Sequence, residues 1–119
     1  MKRLVPVAVD ALLVILFCVI GRRSHDEAVI AGLLKTLWPF AIGLAIGWAA
    51  ALAVERRTGR LDGTLVWPTG VLVWLGTLGG GMALRAISGQ GIAFSFVLVA
   101  ATVLALFLLG WRAAIRALN

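Results

Sequence analysis

Four long apolar runs dominate the sequence and limit what it can fold into. They cover residues 4–20, 28–54, 65–87 and 92–109, with short polar segments between them. Each run suits one helical crossing of a ~30 Å hydrocarbon core, which takes about 20 residues, and none is long enough for two. The runs lack the strict alternation of membrane strands. The sequence therefore predicts an all-α membrane protein, with one domain over residues 1–119 and four transmembrane helices.

The second run is longer than one straight crossing requires. As a helix, residues 28–54 would extend over roughly 40 Å. Pro39 also removes a backbone hydrogen-bond donor inside the run. We therefore place the membrane core of this span at residues 36–54 and expect a kink near Pro39.

The composition excludes several other classes of protein. Only 13% of the residues are charged and 62% are hydrophobic, whereas a soluble domain has about 25% charged residues. Cys18 is the single cysteine, so no disulfide can form within the chain. The net charge is +6, but the basic residues lie in short clusters beside the apolar runs, which is typical of membrane proteins. We therefore expect no nucleic-acid partner.

The positions of the lysines and arginines predict the orientation. If the N-terminus is inside, seven of them lie on the inner side and four on the outer side, counting Lys35 as outer. This bias favours a protein of the inner cell membrane with both termini in the cytoplasm. Because the connections are short, the helices should form an up-down bundle. The lipid bilayer is the first expected partner, and a homo-oligomer or another membrane protein is the second.

Asp10 is the residue that most invites a functional interpretation. It lies inside the first apolar run, where a carboxylate is costly and has to face protein or water. It could bind a proton, an ion or a small cationic solute. It could instead be a buried carboxyl group that fixes helix packing, or it could lie at the inner interface if the helix is shifted.

Three further residues are candidates for the outer mouth of an ion or substrate site. Lys35 could pair with Asp10, or its stem could cross apolar surface so that the ammonium reaches the headgroups. His25 titrates near physiological pH and could relay protons, or it could simply be solvated. Arg85 could bind an anion or lipid phosphate, or reach the headgroups in the same way as Lys35.

Two pairs of glycines predict close helix packing. Gly43-x-x-x-Gly47 and Gly76-x-x-x-Gly80 both match the pattern of small residues four apart that lets membrane helices approach closely. We expect these contacts within the bundle or between protomers.

Catalytic motifs are missing from the sequence. It contains no nucleophile elbow, no phosphate loop and no cluster of metal ligands. His25 and Cys18 alone do not make a metal site, which needs several ligands at suitable spacing. We therefore predict no enzyme activity, no catalytic residues, no metal and no cofactor.

An ordered set of short motifs runs along nearly the whole chain. They are Asp10, Gly21-Arg22-x-Ser24-His25, Pro39-Phe40, Gly47-Trp48, Gly70-x-x-x-Trp74, Gly80, Leu84-Arg85, Phe96-Val97-Leu98-Val99 and Leu109-Gly110-Trp111-Arg112. In this order they resemble a family of small prokaryotic membrane proteins catalogued only as a domain of unknown function. The resemblance implies a four-helix membrane protein and implies no activity. Asp26 departs from the small residue expected after the Ser-His pair.

Two hypotheses for the function follow. In the first, the chain is a small oligomeric transporter or channel for a proton, an ion or a small cationic solute, and Asp10 is its binding site. In the second, it is a non-catalytic membrane module, such as an accessory subunit or scaffold, in which Asp10 and the glycines serve packing. The two differ in what Asp10 does.

Overall fold

The computed structural model describes residues 4–22, 29–59, 63–90 and 94–118, and all regular secondary structure in these ranges is helical. The α-helices are α1 (Leu4–Arg22), α2 (Val29–Thr58), α3 (Val71–Ile87), α4 (Phe94–Leu104) and α5 (Gly110–Leu118). A π-helical turn, Ala105–Leu109, joins α4 to α5. We call the continuous stretch Phe94–Leu118, which comprises α4, this turn and α5, the fourth helix.

The helices have the length and composition expected of a membrane protein. Within the described ranges, three stretches are long and apolar enough to cross a membrane: Leu34–Arg57, Val66–Ile87 and Phe94–Leu118. The apolar part of α1, Val5–Ile20, is shorter. These findings support a helical membrane protein.

Two helices extend beyond the predicted spans. α2 continues through Pro39 to Thr58, so Glu55 belongs to the helix and not to the following loop. The fourth helix continues past Leu109 to Leu118, so Arg112 is helical as well. The extension of α2 contains Glu55, Arg56 and Arg57, and that of the fourth helix is rich in alanine and arginine; all three residue types are good helix formers. Hydropathy marks where a span leaves the membrane, not where its helix ends.

Among the described residues, the closest helix packing joins α2 to α3 at the predicted glycine pairs. A Cβ atom added to Gly43 would lie 2.8 Å from the Gly76 carbonyl oxygen, and one added to Gly80 would lie 2.8 Å from the Gly43 Cα. A Cβ atom on Gly47 would lie 2.9 Å from the Val73 Cα. The two backbones therefore touch at positions where only glycine leaves enough room.

The remaining helices pack through apolar and aromatic side chains. The Phe40 ring of α2 lies against Phe17 of α1 and Phe96 of α4, with centroid distances of 5.4 and 6.3 Å. The Trp74 indole of α3 donates to the Ala101 carbonyl oxygen of α4 at 3.1 Å. The fully buried aliphatic side chains of the core include Val14, Val73, Leu104 and Leu108.

Two connections shape the ends of α3. Before the helix, Val66–Gly70 forms a π-helical turn in which Trp67 has an extended backbone and the Trp67–Pro68 peptide is cis. After the helix, the Gln90 N–H donates to the Arg85 carbonyl oxygen at 2.8 Å, and Gly89 has a φ of +79°. This is the usual way for a glycine to end a helix.

Candidate functional site

A buried ion pair between Asp10 and Arg112 lies at the centre of the candidate site. Asp10 comes from α1 and Arg112 from α5, and both side chains are 0% exposed. Arg112 Nη1 donates to Asp10 Oδ1 at 2.9 Å, and Nη2 donates to Oδ2 at 2.7 Å. This is the bidentate arrangement in which arginine binds a carboxylate most strongly.

Two tryptophans complete the surroundings of the Asp10 carboxylate. Trp48 of α2 donates its indole N–H to Oδ2, and Trp111 of α5 donates to Oδ1, both at 2.9 Å. Each carboxylate oxygen therefore accepts one N–H from the guanidinium and one from an indole. A carboxylate offers about four lone-pair sites, so four donors fill its hydrogen-bonding capacity.

Arg112 is held on its other sides as well. Its Nε donates to the Gly63 carbonyl oxygen at 2.9 Å, and Nη1 also donates to the Leu108 carbonyl oxygen at 2.8 Å. The guanidinium carbon lies 4.8 Å from the centre of the Trp111 ring and 5.8 Å from that of Trp48. Both rings are within the ~6 Å at which an aromatic face attracts a cation. A positive charge that would be costly in an apolar interior is thus matched by a carboxylate, two carbonyls and two aromatic faces.

Two glycines make space for this arrangement. A Cβ atom on Gly70 would lie 2.9 Å from the Arg112 Cδ atom. One on Gly63 would lie 2.8 Å from the Pro6 ring and 2.9 Å from the Trp48 indole. A side chain at either position would therefore force Arg112, Pro6 or Trp48 to shift.

A second buried carboxylate lies at the same end of the bundle. Glu55 of α2 is 2% exposed, and its Oε1 accepts a hydrogen bond of 2.5 Å from the hydroxyl of Thr69. Thr69 directly precedes Gly70, which packs against Arg112. Glu55 thus accepts a hydrogen bond from the residue next to Gly70, while Asp10 binds the arginine that Gly70 contacts.

The structure does not pair Lys35 with Asp10, which was one of the two alternatives for this residue. Arg112 is the cation at Asp10, and Lys35 is exposed. The physical reason is helical geometry. Trp48 marks the level of Asp10 on α2, and residues 35 and 48 of one helix are about 20 Å apart along its axis.

Arg85 lies at a different level of the bundle. Its guanidinium carbon lies 4.4 Å from the centre of the Phe96 ring, and Nη1 donates to the Gln90 side-chain oxygen at 3.3 Å. On the fourth helix, Phe96 and Arg112 are separated by about 24 Å. The structure therefore does not bring Asp10 and Arg85 together. His25 lies outside the described residues.

Sequence reasoning missed four residues of this region: Trp48, Glu55, Trp111 and Arg112. The predicted span ended before Glu55. Trp48, Trp111 and Arg112 were named among the motifs of the resemblance but were given no role in a site. The position of Arg112 was a signal that could have pointed to it. This arginine lies just after the last apolar run and directly follows a tryptophan.

Comparison with known proteins identifies a family without assigning an activity. The family model described as "Protein of unknown function (DUF3054)" matches residues 7–115, a range that includes the whole Asp10–Arg112 site. No curated protein and no solved structure matches the chain.

Proposed function

We propose that this chain, which belongs to the DUF3054 family of proteins of unknown function, is a non-catalytic helical module of the cell membrane. In this proposal Asp10 and Arg112 form an internal clamp. The clamp joins α1 to the fourth helix and, through Trp48, to α2.

One observation carries this proposal: the Asp10 carboxylate has no oxygen lone pair left for a ligand. Four N–H groups surround it, and its side chain is 0% exposed. An ion or a cationic solute at Asp10 would have to displace Arg112, and breaking a buried ion pair costs about 3–5 kcal/mol. The geometry thus favours the packing role of Asp10 over the transport role.

We also propose an up-down bundle with both termini in the cytoplasm. Two contacts between α1 and α2 support opposite directions: Asp10 meets Trp48, and further along α1, Phe17 meets Phe40. The excess of lysine and arginine on the predicted inner side supports the orientation. Whether the module joins further copies of itself or another membrane protein stays a prediction.

Flux measurements on reconstituted vesicles separate the module from the transporter. We expect wild-type protein to pass protons and monovalent cations no faster than empty vesicles. We expect Asp10→Asn to lower the stability and leave the flux unchanged. The matched control is Lys35→Gln, which removes an exposed charge and should alter neither the ion flux nor the stability of the protein.

A different result would support the transporter. Wild-type flux that Asp10→Asn abolishes, with helix content and elution volume in detergent unchanged, would overturn the clamp proposal. Asp10→Glu adds a safeguard because it keeps the charge and shifts the carboxylate. A transporter should retain part of its flux in this variant, whereas a clamp should lose stability alone.

A further inference from the structure

An open apolar groove of about 400 Å³ runs along the outer surface of the fourth helix. Val66 borders it on one side, and the fourth helix lines it from Thr102 to Ala113. This length corresponds to roughly 16 Å of helix. The one hydroxyl among the lining side chains is that of Thr102, and it donates to the Leu98 carbonyl oxygen at 2.9 Å. The groove therefore presents an apolar surface.

The floor of the groove is formed where the fourth helix changes its winding. The π-helical turn Ala105–Leu109 lies in the middle of it, followed directly by Gly110. A Cβ atom on Gly110 would have no atom within 4 Å, so the missing side chain leaves open space there. π-Helical turns inside α-helices are frequently found at functional sites.

The exposed charges described near one end of the molecule, beyond the groove, are positive. Arg116 follows Ala113 by three residues, so it lies on the same side of the helix, and it is exposed. Arg56 and Arg57, at the end of α2, are exposed as well. The carboxylates described at this end, Asp10 and Glu55, are both buried. What this end of the described structure presents outward is thus positive.

We propose that the groove binds an acyl chain of an anionic phospholipid, with the headgroup phosphate at Arg116. An open apolar groove with an exposed arginine just beyond one end matches a molecule that has an apolar tail and an anionic head. Trp67, which follows Val66 in the sequence, supports placing this end of the groove at the surface of the bilayer. Trp67 is 71% exposed, and exposed tryptophans favour the level of the lipid headgroups.

Native mass spectrometry in detergent tests the proposal. Phosphatidylglycerol and phosphatidylcholine with the same dioleoyl chains are added separately, and the bound lipid is counted for each protein. Wild-type protein should bind phosphatidylglycerol more tightly. Arg116→Gln should reduce that preference about five-fold, because an arginine near an anionic headgroup contributes about this much. Gly110→Leu should weaken both lipids about ten-fold, since its side chain fills the groove.

Gly79→Leu is the matched control for Gly110→Leu. Gly79 is also a helical glycine with no atom within 4 Å of an added Cβ, but it lies on α3 outside the groove. It should bind both lipids as the wild type does. Equal binding of the two lipids by wild-type protein would overturn the proposal, as would equal effects of the two leucine substitutions. The proposal would also be overturned if Gly110→Leu dissociated a dimer and left lipid binding unchanged. The groove would then hold a second copy of the chain.

Discussion

The Asp10 carboxylate and the Arg112 guanidinium form two parallel hydrogen bonds of 2.9 and 2.7 Å, although 102 residues separate them in the sequence. Both side chains are fully buried. The pair therefore ties the first helix to the last one at a place that water does not reach. Because each charge depends on the other, changes to the two residues should not act independently.

A double-mutant cycle measures this dependence. Asp10→Leu and Arg112→Met should each lower the free energy of unfolding in detergent by about 3–5 kcal/mol, because each leaves one buried charge alone. The double variant has no such charge, so its loss should fall short of the sum by at least about 1 kcal/mol. Additive losses would show that the two groups do not interact. Unfolding is followed by circular dichroism.

The two indoles at Asp10 should contribute to stability through their N–H groups. Trp48→Phe and Trp111→Phe keep an aromatic ring but remove one hydrogen bond to the carboxylate. Each should lower the free energy of unfolding by about 1.5–3 kcal/mol, the range for bonds to charged groups. Trp67→Phe, at an exposed position, is the control and should stay within about 0.5 kcal/mol of the wild type. Three equal effects would argue against the proposed role of the N–H groups.

The contact between α2 and α3 predicts opposite results for two glycines of one helix. A Cβ atom on Gly76 would fall on the Gly47 backbone, whereas one on Gly79 has open space around it. Gly76→Ala should therefore lower the free energy of unfolding by about 1–3 kcal/mol through overpacking. Gly79→Ala should raise it by about 0.5–1 kcal/mol, because alanine favours the helix. Thermal unfolding of both variants in the same detergent measures these changes. A Gly76→Ala variant as stable as the wild type would contradict the close approach of the α2 and α3 backbones.

The Thr69 hydroxyl should matter more than an exposed one. Thr69→Val removes the hydrogen bond to the buried Glu55 and should lower the free energy of unfolding by about 1–3 kcal/mol. Thr69→Ser keeps the hydroxyl and should recover most of the loss. Thr102→Val, at an exposed position, should change the stability by less than about 0.5 kcal/mol. If valine at 69 is tolerated equally well, Glu55 does not depend on this bond.

Local patterns in the sequence predicted much of the fold. The apolar runs predicted helices because a membrane helix has to be apolar along its whole length. Gly43, Gly47, Gly76 and Gly80 lie at one helix contact because small residues four apart share a helix face. Both properties depend on residues that are close together in the chain.

The partner of Asp10 could not be predicted in the same way. Depth and charge singled out Asp10 itself. The cation beside it lies on another helix, and the sequence does not define how far one helix is shifted along another. Lys35 was one alternative because the second helix returns beside the first, whereas Arg112, just after the last apolar run, was counted among the basic residues of the inner side. The fourth helix continues beyond that run and brings Arg112 level with Asp10.

The sequence distance between Asp10 and Arg112 also sets an order of events during synthesis. At about 5–20 residues per second, a ribosome needs roughly 5–20 s to extend the chain from residue 10 to residue 112. Until then the first helix carries a carboxylate without its arginine. A chain that stops before Arg112 therefore keeps an Asp10 carboxylate that lacks its guanidinium partner.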